Sequence, residues 1–250
     1  MLNQYLLQTQ QLLQNPAAPA PLYATSDLTG WINTARGQLA GESEAIRVLG
    51  TINTVINQRA YNFSSINVGV ASTTGVQGVI HVRSVRYAVG DGFQRVESRA
   101  WPWFELFSLN NPEPQAGPPV EWSQLGQGAS GQSTGSGASG SFYLDPPPDV
   151  VYVLTCDCVC YPIALVNDAT VEATPYLFTD AVPFFAAYLA LMSSQTNARI
   201  ADAERLFGQY KTFVGRARQF ANPSVLRYQY EQSPDLTLTA KLGLEKAASQ

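Results

Sequence analysis

The stretch from Val79 to Tyr87, V-I-H-V-R-S-V-R-Y, decides how the rest of the chain is interpreted. Its odd-numbered and even-numbered residues point to opposite sides of an extended backbone. One side carries Val79, His81, Arg83, Val85 and Tyr87, and the other carries Ile80, Val82, Ser84 and Arg86. This alternation predicts a half-buried β-strand. Helical periodicity is lost between residues 51 and 174, so these residues are assigned to a β domain.

A second strand is predicted from Val150 to Tyr161, which is rich in Val, Tyr and Cys. Between the two strands lies an uncharged stretch dominated by Gly and Ser, from Gly126 to Ser141. Its composition is typical of a flexible loop. We therefore expect a mobile connection between two strands of an antiparallel β domain.

Helical periodicity returns on both sides of this region. One apolar series at 3.6-residue spacing falls in residues 1–50, and another falls in residues 175–221. The sequence therefore predicts an α+β fold, in which 1–50 and 175–221 form a helical bundle and 51–174 form an inserted antiparallel β domain. The first series is Leu28, Ile32, Ala35, Leu39 and Ile46, and the second is Ile200, Ala203, Phe207, Tyr210, Val214 and Ala217.

Residues 222–250 begin at Asn222-Pro223, where the last helix is expected to end. Apolar and polar residues then alternate, as in a strand with one apolar face. A terminal strand is ordered only when something ties it down. It either docks as an extended arm on a neighbouring subunit or partner, or completes the β domain of its own chain. The apolar residues of this candidate docking arm are Leu226, Tyr228, Tyr230, Leu236, Leu238, Leu242 and Leu244.

Three glycines, Gly30, Gly37 and Gly41, share one side of the second helix, roughly opposite its apolar series. Each lowers helix stability by about 1 kcal/mol relative to Ala. They are either tolerated surface residues or a groove in which a neighbouring helix or subunit approaches closely. The second interpretation makes them candidate subunit-packing residues.

The chain is poor in charge. Charged residues make up 14% of it, against roughly 25% in an average soluble domain. Such a surface loses little to ion desolvation when another subunit covers it, which favours assembly. The net charge is −4 and only three lysines are present, so the sequence indicates no basic patch for binding phosphates. We expect DNA to pass by this protein rather than to bind it.

Serine-based catalysis is not indicated. Gly131 to Gly135 matches the G-x-S-x-G pattern around Ser133, but Gly and Ser dominate both flanks, where that chemistry needs a strand and a helix. The single histidine, His81, precedes the serine, whereas that fold places its histidine last. One histidine also excludes a metal site built on two.

Cys156, Cys158 and Cys160 point to one face of the predicted strand, about 6–7 Å apart, which is too far for a local disulfide or a shared zinc ion. They are predicted to be reduced core residues, with metal or redox chemistry as the alternative. Two pairs of nearby carboxylates are interpreted as surface residues rather than as a glycosidase site. We expect no enzyme activity, metal or cofactor. The carboxylate pairs are Glu42 with Glu44 and Asp145 with Asp149.

Membrane insertion is not expected. The longest apolar run, Ala181 to Met192, has 12 residues, and a membrane-spanning helix needs ~20. A signal peptide is not apparent, because Gln8, Gln10 and Gln11 interrupt the apolar start of the chain. These patterns predict a soluble protein.

Three segments resemble the head-to-tail adaptor proteins of tailed bacteriophages, also called head-completion or tail tubular proteins. Leu7 to Asn15 fits L-x-x-x-x-L-L-Q-N, and Leu22 to Ala40 reads L-Y-A-T-S-D-L-T-G-W-I-N-T-A-R-G-Q-L-A; both are similar to the family's first helices. Thr174 to Pro183, T-P-Y-L-F-T-D-A-V-P, leads into an Ala-rich helix and a further helix that are similar to the family's last ones.

The resemblance implies a structural virion protein, made in the cytoplasm of a bacterial host and located at the portal vertex. Its copies, commonly about twelve, would form a ring that docks under the portal protein, extends the DNA channel and carries tail or nozzle proteins. DNA would pass through the lumen without specific binding. Two alternatives stay open: another β-rich virion component, such as a decoration or tail protein, and an adaptor with accessory peptidoglycan-cleaving activity.

Overall fold

A computed structural model describes residues 1–15, 22–110, 115–126, 140–193 and 199–221. Within these ranges helices and strands combine in an α+β fold, as the sequence predicts. The helices are α1 (Leu2–Leu13), α2 (Thr25–Ser43), α3 (Ala71–Thr74), α4 (Trp101–Phe104), α5 (Ala181–Ser193) and α6 (Ile200–Ala221). The strands are β1 (Arg47–Asn53), β2 (Ala60–Asn62), β3 (Val76–Val89), β4 (Gly92–Ser98), β5 (Glu121–Leu125), β6 (Ser141–Asp145) and β7 (Val153–Pro162).

The four long helices α1, α2, α5 and α6 share one hydrophobic core. Helix α5 lies at its centre and contacts each of the other three. Its buried positions include Ala186, Ala187 and Ala190, whose small side chains let neighbouring helices approach closely. Tyr210 of α6 is fully buried, with its ring 4.6 Å from that of Phe185. The two helical regions of the chain thus meet in one core.

The apolar series of α6 is confirmed by burial over most of its length. Ala203, Tyr210, Val214 and Ala217 are buried as predicted, and Phe207 is partly buried against the same core. Ile200, at the first position of the helix, is 44% exposed.

In α2 the first four predicted positions are buried. The prediction that Ile46 continues the helix was wrong, although Ile46 is buried. The helix ends because Glu44 adopts a left-handed conformation with φ of 55°. Ile46 follows this turn and joins the core of the sheet.

One helical segment, Tyr176–Ser193, is long and apolar enough to cross a membrane by length and composition alone, with a mean hydropathy of 1.3. It comprises a short 3₁₀ turn and α5. More than half of the segment, 56%, is buried inside the protein, as expected for the core helix of a folded domain.

The strands form one seven-stranded sheet in the order β1-β7-β3-β4-β5-β6-β2. The two predicted strands correspond to β3 and β7, which are neighbours and pair antiparallel. Strand β7 starts at Val153, later than predicted, and β1 starts at Arg47, ahead of the boundary predicted at residue 51. A second hydrophobic core lies against this sheet and includes Trp122, Phe142 and Leu154.

One pairing departs from the predicted antiparallel arrangement. Strands β4 and β5 run parallel, with Glu97 opposite Glu121 and Ser98 opposite Trp122. A parallel pair needs a long crossover, and here that crossover contains α4. The Gly/Ser stretch connects β5 and β6, which pair antiparallel, although its residues 127–139 lie outside the described part of the chain.

Helix α2 also holds the segment that leads from the sheet back to α5. The side-chain amide of Asn33 donates a hydrogen bond to the backbone carbonyl of Leu165 at 3.1 Å. Its side-chain oxygen accepts a hydrogen bond from the backbone N–H of Leu165 at 2.7 Å. Arg36, with a side chain that is 0% exposed, forms an ion pair with Glu172. It also donates to the carbonyl of Ile163 at 2.6 Å. The connection between sheet and helices is therefore fixed by polar contacts that are partly or fully buried.

Candidate functional site

The stretch Trp101–Leu109, W-P-W-F-E-L-F-S-L, forms an exposed apolar surface. It consists of α4 and a π-helical turn, Glu105–Leu109. Pro102 stands in the first turn, where its missing N–H costs no helical hydrogen bond. Sequence reasoning missed this element, because it is short and its apolar residues lie on both of its sides.

Its inner side is anchored to the sheet. Phe104 and Ser108 lie one turn apart and are 0% and 5% exposed. The ring of Trp101 packs on that of Tyr143 in β6, with 4.9 Å between centroids. Arg59 donates to the carbonyl of Ser108 at 3.1 Å. These contacts fix the orientation of this helical element on the sheet, and so determine which of its side chains are exposed.

Its outer side is also apolar. Trp103, Leu106 and Phe107, which we call the aromatic platform, are 40%, 59% and 60% exposed. The rings of Trp103 and Phe107 lie 5.2 Å apart. The guanidinium of Arg99 lies 5.0 Å from the centre of the Trp103 ring. Arg99 is held in place by Glu121, which accepts its Nε–H at 2.9 Å.

A helical element that is apolar on both sides is normally covered on both sides. Here Phe104 faces the protein and the aromatic platform faces solvent. Tryptophan, arginine and exposed apolar side chains in one cluster are typical of the centres of protein interfaces. The platform therefore has the character of a docking surface for another protein subunit. The signal in the sequence is the i, i+3, i+4 spacing of 103, 106 and 107 beside the inner positions 104 and 108.

The three predicted packing glycines lie in different surroundings. Gly37 is buried, and a Cβ atom there would fall 2.1 Å from the hydroxyl oxygen of Tyr161 in β7. Gly30 and Gly41 are exposed, with nothing within 4 Å of a Cβ added at either. Close approach at this helix therefore occurs at Gly37, between α2 and the sheet of the same chain.

Replacing Gly37 with Leu is expected to lower the free energy of unfolding by about 1–3 kcal/mol, because the side chain must displace the Tyr161 ring. Urea denaturation of the purified variant measures this change. Gly30→Ala is the matched control on the same helix and should raise the free energy of unfolding by up to about 1 kcal/mol, since open space surrounds it. A Gly37→Leu protein as stable as the parent would contradict the packing argument.

The three cysteines lie in β7 and are fully buried with free thiols. Burial raises the pKa of the Cys156 thiol to about 12 and that of Cys160 to about 12, and it raises the pKa of Cys158 as well. Such thiols are weak nucleophiles because the reactive thiolate is scarce near neutral pH. Among the described residues, no group of three or more His, Cys, Asp and Glu side chains is placed to hold a metal ion.

His81 lies half-buried on β3, with Nε2 3.7 Å from a carboxylate oxygen of Glu44. Burial lowers the pKa of His81, and the charge of Glu44 opposes that shift. Glu44 also approaches Arg83 at 3.6 Å, and Glu42 forms an ion pair with Lys211 at 3.2 Å. These two glutamates therefore take part in contacts between elements of the fold.

The carboxylates of the second pair, Asp145 and Asp149, also take part in contacts within the fold. Asp145 is 2.9 Å from Arg59, and burial raises its pKa against the opposing charge of that arginine. Asp149 accepts a hydrogen bond from the hydroxyl group of Tyr152 at 2.7 Å. Ser133 and the residues of the predicted docking arm, 222–250, lie outside the described residues.

Comparison with models of known protein families gave no match, and comparison with curated protein sequences gave none either. The assignment of function therefore depends on the geometry above and on the sequence pattern.

Proposed function

We propose that this chain is a non-enzymatic subunit of a head-to-tail adaptor ring at the portal vertex of a tailed bacteriophage. The ring docks on the portal protein, extends the DNA channel and gives tail or nozzle proteins a place to attach. The observation that carries the proposal is the aromatic platform, because the described part of the chain leaves it exposed, and exposed apolar clusters of this kind mark sites of interaction between proteins.

The helical core supports the proposal. Residues near the start of the chain share one core with residues up to Ala217, and the sheet lies between them in sequence. This helix–β–helix order is the one that the resemblance to adaptors implies. We extend it to a helical bundle domain within residues 1–50 and 175–221, with residues 51–174 as the inserted β domain, whose first strand begins slightly earlier, at Arg47.

The negative net charge of the chain supports the proposal that the ring lines a channel through which DNA passes. A net charge of −4 with three lysines disfavours tight binding of phosphates over the surface as a whole. A channel wall that held phosphates strongly would impede the passage of DNA. DNA therefore passes through the lumen without sequence-specific binding.

The aromatic platform is assigned to the contact between neighbouring copies. A closed ring of about twelve identical subunits is built from head-to-tail contacts, so each platform meets a different surface on the next copy. Burial of the exposed part of Leu106 or Phe107 contributes about 1–2 kcal/mol. The platform alone thus supplies a substantial part of such an interface.

Residues 222–250 are assigned to portal docking within this proposal. Truncation after Asn222 is expected to leave a folded chain that binds portal protein at least ~100-fold more weakly, since even two buried leucines supply that difference. Surface plasmon resonance on immobilised portal protein measures the affinity, and circular dichroism checks the fold.

A matched pair of full-length variants sharpens this test. Leu236→Ser with Leu238→Ser removes the apolar side of the alternation, whereas Thr237→Ser with Thr239→Ser changes only the opposite side. The first pair should weaken portal binding and the second should leave it unchanged. Unchanged affinity after truncation excludes the docking role. Electron microscopy that finds no ring of the full chain on its portal would overturn the adaptor proposal itself.

A further inference from the structure

One exposed face of the sheet gathers arginines that are far apart in the sequence. Strands β1, β7, β3 and β4 are neighbours there, and the face contains a shallow hollow of about 430 Å³. The chain as a whole is acidic, so a local excess of positive charge is a distinctive feature. The hollow is lined by Arg47, Arg83, Ser84, Val85, Arg86, Phe93, Arg95 and Asp157.

Two of these arginines are held by contacts within the chain. Arg47 forms an ion pair with Asp157 and donates to the carbonyl of Ala221 at 3.0 Å. Arg83 lies 3.6 Å from Glu44 and also reaches the carbonyl of Ala221, at 3.5 Å. These contacts neutralise part of their charge and fix one side of the hollow.

Arg86 and Arg95 have a different environment. They lie directly opposite each other on the antiparallel strands β3 and β4, so both side chains project from the same face. Neither has a carboxylate within ion-pair distance among the described residues. The Arg86 guanidinium instead lies 4.6 Å from the centre of the Phe93 ring, which is 65% exposed.

Like charges directly opposite each other on paired strands destabilise a sheet. A bound anion between Arg86 and Arg95 would remove that repulsion. Guanidinium groups match the two oxygens of a phosphate with parallel hydrogen bonds, and an exposed aromatic ring beside them offers a base a surface for stacking. Arginines combined with an open phenyl ring are the elements of sequence-independent binding to a nucleic-acid strand.

We infer that the face formed by Arg86, Arg95 and Phe93 binds the phosphate backbone of a nucleic acid without sequence preference. Arg47 and Arg83 add longer-range attraction at the rim of the hollow. The inference goes beyond the proposed adaptor function and does not depend on ring formation, because all of its residues belong to one chain. The same arginines belong to three different strands, β1, β3 and β4, so the sequence alone did not show that they lie close together.

Fluorescence anisotropy with a labelled single-stranded oligonucleotide of mixed sequence, and with its duplex, tests the inference. The full chain is expected to bind with a dissociation constant of about 1–100 µM at low salt. Arg86→Glu with Arg95→Glu should weaken binding at least ~10-fold and lower the slope of log affinity against log salt by about two. The control is Arg205→Glu with Arg216→Glu on the exposed side of α6, which makes the same change in net charge. It should change affinity less than ~2-fold.

The variant Arg86→Gln with Arg95→Gln is the control for a folding defect, because it removes the repulsion between the two arginines without adding negative charge. It should melt at the same or a higher temperature than the parent and still bind more weakly. Three results would overturn the inference: no binding by the parent chain, equal losses in the α6 control, or an unchanged salt slope. Tighter binding of polyglutamate than of either oligonucleotide would also overturn it and would assign the face to an acidic protein partner.

Discussion

Replacing Arg36 with Met is expected to lower the free energy of unfolding by about 3–5 kcal/mol, because it leaves the Glu172 carboxylate buried without its partner. The two side chains are 0% and 8% exposed. Arg36 Nε donates to both oxygens of Glu172 at 3.1 and 3.0 Å, and Nη2 donates to one of them at 2.7 Å. Glu172 also accepts the backbone N–H of Thr174 at 2.8 Å. Urea denaturation followed by circular dichroism measures the change.

An exposed ion pair provides the matched control. Arg205 and Asp202 lie 3.8 Å apart with side chains 74% and 64% exposed, so Arg205→Met should cost at most about 0.5 kcal/mol. The double variant Arg36→Met with Glu172→Leu removes both buried charges and should recover much of the loss. A single Arg36→Met variant within 1 kcal/mol of the parent, on the order of the exposed control, would contradict the structural role of the pair.

Replacing Leu106 and Phe107 with Ser is expected to weaken association between copies by ~30-fold or more, while leaving the fold of the single chain intact. The two side chains are 59% and 60% exposed, so their loss removes little packing within the chain. Each contributes about 1–2 kcal/mol when an interface covers its remaining exposed area. Analytical ultracentrifugation over a range of concentrations measures the association, and thermal melting checks the fold.

The control for this variant is Tyr176→Ser with Leu177→Ser. These residues are 78% and 72% exposed and lie in the 3₁₀ turn before α5, away in sequence from the aromatic platform. The platform assignment predicts that they matter less for association. Equal association by the Leu106/Phe107 variant and the parent would exclude the platform as a contact between copies.

Periodic elements were the most predictable part of the fold. Ala203, Tyr210, Val214 and Ala217 lie on one face of α6 because 3.6-residue spacing places them there in any helix. The alternation in Val79 to Tyr87 similarly identified β3 as a strand. Its assignment of faces was wrong for Val82, which is buried together with Val79 and Val85 because the pairing of β3 with β7 is irregular at these residues. Ile46 was misassigned because its spacing continued the helical pattern, whereas the left-handed conformation of Glu44 ended the helix.

The candidate surfaces were less predictable. The aromatic platform lies on a short element whose apolar residues face both inward and outward, so no single periodicity identified it. The pairing of Arg86 with Arg95 depends on strand register, which no local pattern specifies. The contrast between Gly37 and its neighbours Gly30 and Gly41 likewise depends on where Tyr161 lies.

The sequence by itself determined the α+β class, the helical character of both flanking regions and the presence of the strands β3 and β7, since each follows from spacing along the chain. Only the tertiary structure decided that Arg36 meets Glu172, that β4 pairs parallel with β5, and that arginines from separate strands converge on one face. These contacts join residues distant in sequence, and their formation depends on packing and register, which local spacing does not encode.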